Sequence, residues 1–324
     1  MVRTRLYRNG TLISENFPVQ DVSEYLRDPA SVIWLDLYEP EHDEFAVIGE
    51  ECGLHELAVE HALHQGQRPK IDHYRTHIYL NAYATSVGED GDALSVSEIA
   101  AFVTNQALIT VRKSPGIDID EVMARWDGSP ELASEGVGFL LHGLLDLLVD
   151  GHFRAVQALD DSIEKLEDLV FAEGREQVLA VQRQVLVLRR SLVDLRRTVL
   201  PMREVVNTLM RPGLRLVTVP LAPYYQEVYD HVLRATEWTE SLRDLMNSVV
   251  ETNLAVQANR VNTIMKKVTS WAAIIAVPTA VTGFYGQNVP YPGFAHEWGF
   301  AVSSGVIVLL ALALYLVFSR KDWI

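Results

Sequence analysis

Residues 268–288 read Val-Thr-Ser-Trp-Ala-Ala-Ile-Ile-Ala-Val-Pro-Thr-Ala-Val-Thr-Gly-Phe-Tyr-Gly-Gln-Asn, and Val268 to Tyr285 carry no charge. As a helix at roughly 1.5 Å per residue this run spans about 27 Å, close to the ~30 Å hydrocarbon core of a bilayer. A second uncharged run, Trp298 to Phe318, follows after twelve residues. Backbone can cross lipid only with its hydrogen bonds closed internally, so the pair predicts a membrane hairpin of two helices. Two buried helices of a soluble core are the other reading, but the second run has no polar face at all.

Flanking charge orients the hairpin. Arg260, Lys266 and Lys267 precede it and Arg320 and Lys321 follow it, whereas the loop 286–297 has neither Lys nor Arg and ends in Glu297. Positive residues stay on the cytoplasmic side, so both termini are expected in the cytosol and the loop outside.

The first span carries small residues at every third or fourth position: Thr269, Ala272 or Ala273, Ala276, Ala280, Gly283 and Gly286. Such a stripe lets helix backbones approach closely, or it lines a pore with little obstruction. Spacing alone leaves both open. The end of the stripe favours the pore, because Gly286, Gln287 and Asn288 bring a glycine turn and two amides to the membrane edge. Amide and carbonyl oxygens there can hold a hydrated cation without stripping its water.

Tyr285-Gly286-Gln287-Asn288, closing the first of two C-terminal spans, resembles the Tyr-Gly-Met-Asn signature of CorA-type magnesium transporters. Further segments resemble that family in its order: Gln67 to Lys70, Pro201 to Val205, Glu227 to His231 and Asn262 to Lys266. The resemblance covers nearly the whole chain. It implies an α+β membrane protein: a cytosolic α/β domain, a long helical stalk and two transmembrane helices, assembled as a homopentamer. It also implies passage of Mg²⁺, with Co²⁺ or Ni²⁺ as further candidates, across the cytoplasmic membrane. The same ion would be the regulator, and no organic cofactor is expected. Candidate selectivity residues are Gly286, Gln287 and Asn288. Candidate pore and gate residues are Asn262, Met265, Val268, Ala276, Thr279 and Gly283. Glu227, Glu251, Glu89 and Asp90 are candidate regulatory metal ligands. The departures fall on Gln287 and on Tyr291-Pro292-Gly293-Phe294, where the family often has Met-Pro-Glu-Leu. The acid is missing there. A ZntB-like Zn²⁺ transporter therefore stays open as an alternative. So does a membrane-anchored scaffold or sensor that conducts nothing, although a passive anchor has no need of Asn288.

The 324 residues carry a net charge of −15, and from Arg260 onward the balance is +3. The part before it is thus strongly acidic, which repels nucleic acid and favours cations. Cys52 is the single cysteine, which excludes an internal disulfide and a multi-cysteine metal site. Met1 to Gly10 has three arginines and no apolar core, so no signal peptide is expected.

The pattern divides the chain into an α/β domain (1–135), a helical hairpin (136–223), a stalk helix (224–267) and the transmembrane hairpin (268–324), with spans at 268–285 and 298–318. Val32 to Leu37 reads as a strand, Glu41 to Cys52 as a helix stopped by Gly53, and His77 to Ala84 and Ile99 to Val111 as apolar strand-like runs. His55, His61, His64, His73 and His77 cluster in sequence, but nothing is spaced to complete a zinc site, and surface and sheet-edge histidines are expected. Apolar residues at three-to-four spacing predict helices over Phe139 to Glu173 and Gln177 to Met210, joined at Gly174, with a kink at Pro201. From Tyr224 to Tyr285 no stop occurs except Pro278. The chain holds no phosphate loop, nucleophile elbow or metalloprotease His-Glu pair, so no enzyme is expected.

Overall fold

The computed structural model describes residues 1–64, 66–88, 93–171, 175–287, 290–294 and 296–324, with all their side chains except those of Asp43 and Arg175. It divides into two units, Met1–Val249 and Val250–Ile324.

The first unit opens with strands β1 (Val2–Arg8) and β2 (Thr11–Glu15), a short α1 (Val22–Tyr25) and β3 (Ser31–Tyr38). Helices α2 (His42–Glu51) and α3 (Glu56–Leu63) follow, then β4 (Lys70–His73), β5 (Ile78–Val87), β6 (Leu94–Val103) and β7 (Ala107–Arg112). Next come α4 (Ile119–Asp127), α5 (Pro130–Ala133), α6 (Val137–Val170), α7 (Arg175–Leu209) and the start of α8 (Ala222–Tyr285).

The strands form one sheet in the order β2-β1-β3-β7-β6-β5-β4. Pairing is antiparallel throughout except between β3 and β7, which run parallel with Asp36 opposite Thr110. The inner strand β3, Ser-Val-Ile-Trp-Leu-Asp-Leu-Tyr, is rich in β-branched and aromatic residues and is covered on both faces. Asn9 and Gly10 take φ of 47° and 78°, the left-handed pair that lets β1 turn into β2. The arginine-rich N-terminus is therefore a strand: Arg5 is buried and bonds Glu15 and Asp127. The apolar run 99–111 proves to be two strands. Thr104 Oγ1 accepts the amides of Gln106 (3.3 Å) and Ala107 (2.8 Å) and turns the chain between β6 and β7.

Period-two alternation splits the core in two. Ile33, Leu35, Leu37, Tyr79, Phe102 and Ile109 lie under α2 and α3 with Phe45, Ile48, Ala58 and Ala62. On the other face Trp34, Leu80, Ile99 and Leu108 meet residues of α4, α6, α7 and the start of α8. Trp34 and Trp126 pack edge to face at 5.0 Å, and Trp126 Nε1 donates to the Leu140 carbonyl at 3.1 Å. A Cβ at Gly143 would stand 2.5 Å from that nitrogen, so only glycine lets α6 pass. Each large side chain so buried contributes roughly 1.5–3 kcal/mol.

Pro201 lies within α7, which continues to Leu209. Tyr225 Oη donates to the Gly138 carbonyl at 2.8 Å, and Arg196 Nε donates to Glu240 Oε1 at 2.6 Å, which tie α8 to α6 and α7. His77 is buried rather than at the surface, its ring stacked on Tyr74 at 4.8 Å. The second unit holds the remainder of α8 and α9 (Glu297–Arg320). Both α8 and α9 are long and apolar enough to cross a membrane.

A candidate ion path

Much of α8 in the second unit is exposed, and from Val261 to Thr269 it is exposed all round. Asn262, Met265, Val268, Ala272, Ala276, Thr279 and Gly283 are all exposed, Met265 by 59% and Val268 by 60%, while Ala273, Ile274, Val277 and Val281 are half covered. The small-residue stripe is thus uncovered, as are the two apolar gate candidates together with their neighbours Val261 and Ile264.

Three hydroxyls of the apolar stretch are satisfied within the helix. Ser270 Oγ donates to the Lys266 carbonyl at 2.8 Å, Thr279 Oγ1 to Ile275 at 3.3 Å and Thr282 Oγ1 to Pro278 at 2.8 Å. That bonding removes their demand for water, so they can lie in lipid or along a path without orphaned donors. Pro278 lacks an amide hydrogen, which frees the Ile274 carbonyl from its helical partner.

α8 ends at Tyr285. Gly286 N donates to the Thr282 carbonyl at 2.9 Å and Gln287 N to Phe284 at 3.3 Å, a last tightened turn. A Cβ on Gly286 would meet the Thr282 carbonyl at 3.0 Å, tighter than ordinary contact. Asn288, the central residue of the expected mouth, lies outside the described residues. Beyond it the loop is held by aromatic edges: Tyr285 meets Tyr291 at 4.7 Å, and Tyr291 meets Phe294 at 5.3 Å. Gly293 has φ +93°, and a Cβ there would stand 2.9 Å from Trp298. The departure from the family's loop pattern is therefore conformational. A glutamate at Gly293 fits neither the backbone nor the space, and sequence reading did not anticipate this aromatic lattice.

At the other end of the second unit the chain folds back. Trp323 N donates to the Phe318 carbonyl at 3.0 Å, and its ring stacks on Phe318 at 5.8 Å. Trp323 lines a crevice of about 470 Å³ with Asn259, Asn262, Met265, Lys266 and Thr269, so the C-terminus reaches the level of the gate candidates. A lone tryptophan after the last basic residues was the available signal.

Among the regulatory candidates, Glu227 and Glu251 are exposed on α8, one in each unit. Glu89 and Asp90 lie outside the described residues. Among the described residues no group of three His, Cys, Asp or Glu side chains converges as a metal site within one chain. Glu227 acts electrostatically on His142, which packs against Tyr224 at 5.7 Å and Tyr225 at 5.6 Å. Burial holds the His142 imidazole below its ordinary range, against the pull of Asp146 and Glu227.

The family model described as "CorA-like Mg2+ transporter protein" matches residues 29–320. The "Cobalt/magnesium transport protein CorA" of Thermotoga maritima is 28% identical over 313 residues, covering 95% of this chain and 88% of that protein. The complete structure of the CorA magnesium transporter from Methanocaldococcus jannaschii matches with a TM-score of 0.78 at 22% identity, over 100% of this chain and 99% of that one. The ZntB cytoplasmic domain from Vibrio parahaemolyticus shares the fold at a TM-score of 0.54 and 16% identity, over 71% of this chain and 88% of that one.

Proposed function

Because the chain belongs to the CorA-like Mg²⁺ transporter family, we propose that it carries Mg²⁺ across the cytoplasmic membrane through a ring of identical subunits. A two-span chain cannot enclose a pore alone, so conduction requires such a ring, and five is the number the family resemblance implies. The exposed line along α8 from Asn262 through Met265, Val268, Ala276 and Thr279 to Gly283, made of small residues in its second half, is the observation that carries this reading. Turned inward, it gives an apolar constriction at one end and a backbone-rich, low-obstruction path at the other.

At the mouth, Gly286 carbonyls and Asn288 amides would take a hydrated Mg²⁺ through its water shell, with Gln287 supporting the loop. Mg²⁺ dehydrates reluctantly and prefers oxygen ligands, which suits this chemistry. Zn²⁺ prefers nitrogen and sulfur. His296 is the imidazole near this end, and its Nδ1 faces the Phe294 carbonyl at 3.0 Å. Both termini and the first unit would lie in the cytosol, as the flanking charges require.

Regulation follows from the acids. Glu227 of one subunit, facing Glu89 and Asp90 of the next, would repel them until Mg²⁺ bridges the carboxylates, with Glu251 forming a second site. A Mg²⁺-replete cytosol would hold the ring closed, provided the ion binds the closed ring better than the open one.

The test is uptake into proteoliposomes carrying the purified protein, with Mg²⁺, Co²⁺, Ni²⁺ and Zn²⁺ compared with and without a pH gradient. Mg²⁺ uptake independent of the gradient is expected. Zn²⁺ uptake that needs the gradient would replace this reading with the zinc one, and no uptake of any ion would leave a scaffold.

A further inference from the structure

The outer loop of the second unit is built around one turn. Tyr291-Pro292-Gly293-Phe294 closes with the Phe294 amide donating to the Tyr291 carbonyl at 2.9 Å. Pro292 stands second and Gly293 third, at φ +93°, the arrangement of a type II turn, which needs a positive φ in the third place. Such a turn brings its first and fourth residues together, and here both are aromatic. The Tyr291 and Phe294 rings meet edge to face at 5.3 Å. Tyr291 is half-buried although it lies in the loop.

On one side the turn is fastened to α9. The His296 amide donates to the Gly293 carbonyl at 3.1 Å, and the Gly299 amide to the His296 carbonyl at 3.0 Å. A Cβ at Gly299 would stand 2.4 Å from the Gly293 carbonyl, so the two glycines let turn and helix touch. Among the described residues, Gly299 is the one residue of α9 that is buried. On the other side the turn reaches the end of α8, where the Tyr291 ring meets that of Tyr285 at 4.7 Å. Tyr285 in turn meets Phe284 at 5.7 Å. Among the described residues neither the Tyr285 nor the Tyr291 hydroxyl forms a hydrogen bond, so the rings make the contact.

The last turn of a helix frays unless something holds it. Gly286, next to Tyr285, has no side chain to do so. We propose that Tyr291 is a positioning residue of the ion mouth: through Tyr285 it fixes the Gly286 carbonyl, so the entrance selects by a rigid spacing of oxygens rather than by a loop acid. The one acid of the loop, Glu297, opens α9, where a first-turn carboxylate sits on the helix dipole. Aromatic rings suit the task, because a paired ring gives a large contact in a preferred geometry. Spacing matters here because Mg²⁺ demands a near-ideal octahedral shell, whereas larger cations tolerate looser ones. This inference rests on the transport reading above and names a residue that sets its selectivity.

The test measures Mg²⁺ and Ca²⁺ uptake side by side in proteoliposomes carrying the full-length protein. Tyr291→Ala should lower the ratio of Mg²⁺ to Ca²⁺ uptake about tenfold, the size expected where an aromatic pair is lost. Tyr291→Phe should keep the wild-type ratio. Gly293→Ala removes no ring, yet its Cβ would stand 2.9 Å from Trp298 and displace the turn, so it should lower the ratio as well. Should Tyr291→Ala fail to assemble, Phe294→Ala is read by the same ratio. A merely structural role would reduce uptake of both ions together. That result, or an unchanged ratio in Tyr291→Ala and Gly293→Ala, overturns the proposal and leaves the transport reading standing. A Tyr291→Phe variant as unselective as Tyr291→Ala also overturns it, since the hydroxyl would then be the part that counts. A wild type that takes up neither ion overturns the transport reading itself.

Discussion

Arg112 meets Asp36 across the parallel β3–β7 pair, with Nη2 2.5 Å from Oδ2 and Nε 2.9 Å from Oδ1. Thr110 Oγ1 donates to the same carboxylate at 2.8 Å, and Arg112 Nη1 reaches the Ile117 carbonyl at 3.3 Å. Both side chains are buried, so removing either strands a charge. Asp36→Leu or Arg112→Met alone should cost roughly 3–5 kcal/mol, whereas the two together should recover much of it. Denaturant unfolding of the purified protein checks this; a loss in the double variant equal to the sum of the two single losses would show that the pair is not coupled.

At the mouth, Asn288→Ala should abolish selective Mg²⁺ uptake while the oligomer stays intact. Isotope flux and native mass measured on the same preparation separate the two effects. Unchanged flux would remove Asn288 from the ion path.

The apolar rings proposed at the cytosolic end make a different forecast. Met265→Gly with Val268→Gly should give a leak that no longer falls as Mg²⁺ rises, because the dewetted constriction is gone. Current across planar bilayers is the measurement. Wild-type conductance in that variant would move the gate elsewhere.

Mg²⁺ should also protect the first unit, Met1–Val249, from protease. Titrated from absent to millimolar, the ion is expected to slow chymotrypsin cleavage of wild type, while Glu227→Lys should be cut at every concentration. Identical protection of both proteins would place the sensor at other residues.

Two buried histidines set an acid limit. Burial pushes His77 and His152 down to about 4, and His152 keeps one hydrogen bond, with Nε2 2.8 Å from the Tyr83 carbonyl. Their unfolded values are near 6.5, so above that pH neither state binds the proton and the full stability is present. As pH falls from 6.5 towards 4, the unfolded chain takes protons that the folded one refuses, and stability drops by up to a few kcal/mol per histidine. Melting temperature against pH should show this slope, and His77→Gln should flatten it. An unaltered slope in that variant would assign the acid sensitivity to other groups.

The membrane half was legible because its signal is long. An uncharged run of eighteen residues and a small-residue stripe need no tertiary context, and α8 ends at Tyr285 as the pattern predicts. The α/β part was harder. The strand β1 hides among arginines because the burial of Arg5 depends on ion pairs with Glu15 and Asp127, one across the sheet and one more than a hundred residues away. The break between β6 and β7 depends on the Thr104 hydroxyl, which a hydropathy pattern cannot see. At the mouth, Gly293 read as a lost acid, and only its positive φ and the closeness of Trp298 give it a physical reason.

No Lys or Arg occurs between Arg27 and Arg68, and this gap over α2 and α3 governs how the protein can be probed. Arg68 is followed by Pro69, which blocks trypsin, so this face survives digestion as one fragment, residues 28–70, in any conformation. Footprinting with trypsin is therefore blind to it. A glutamate-specific protease reads the same surface directly, with Glu50, Glu51, Glu56 and Glu60 as its cleavage points.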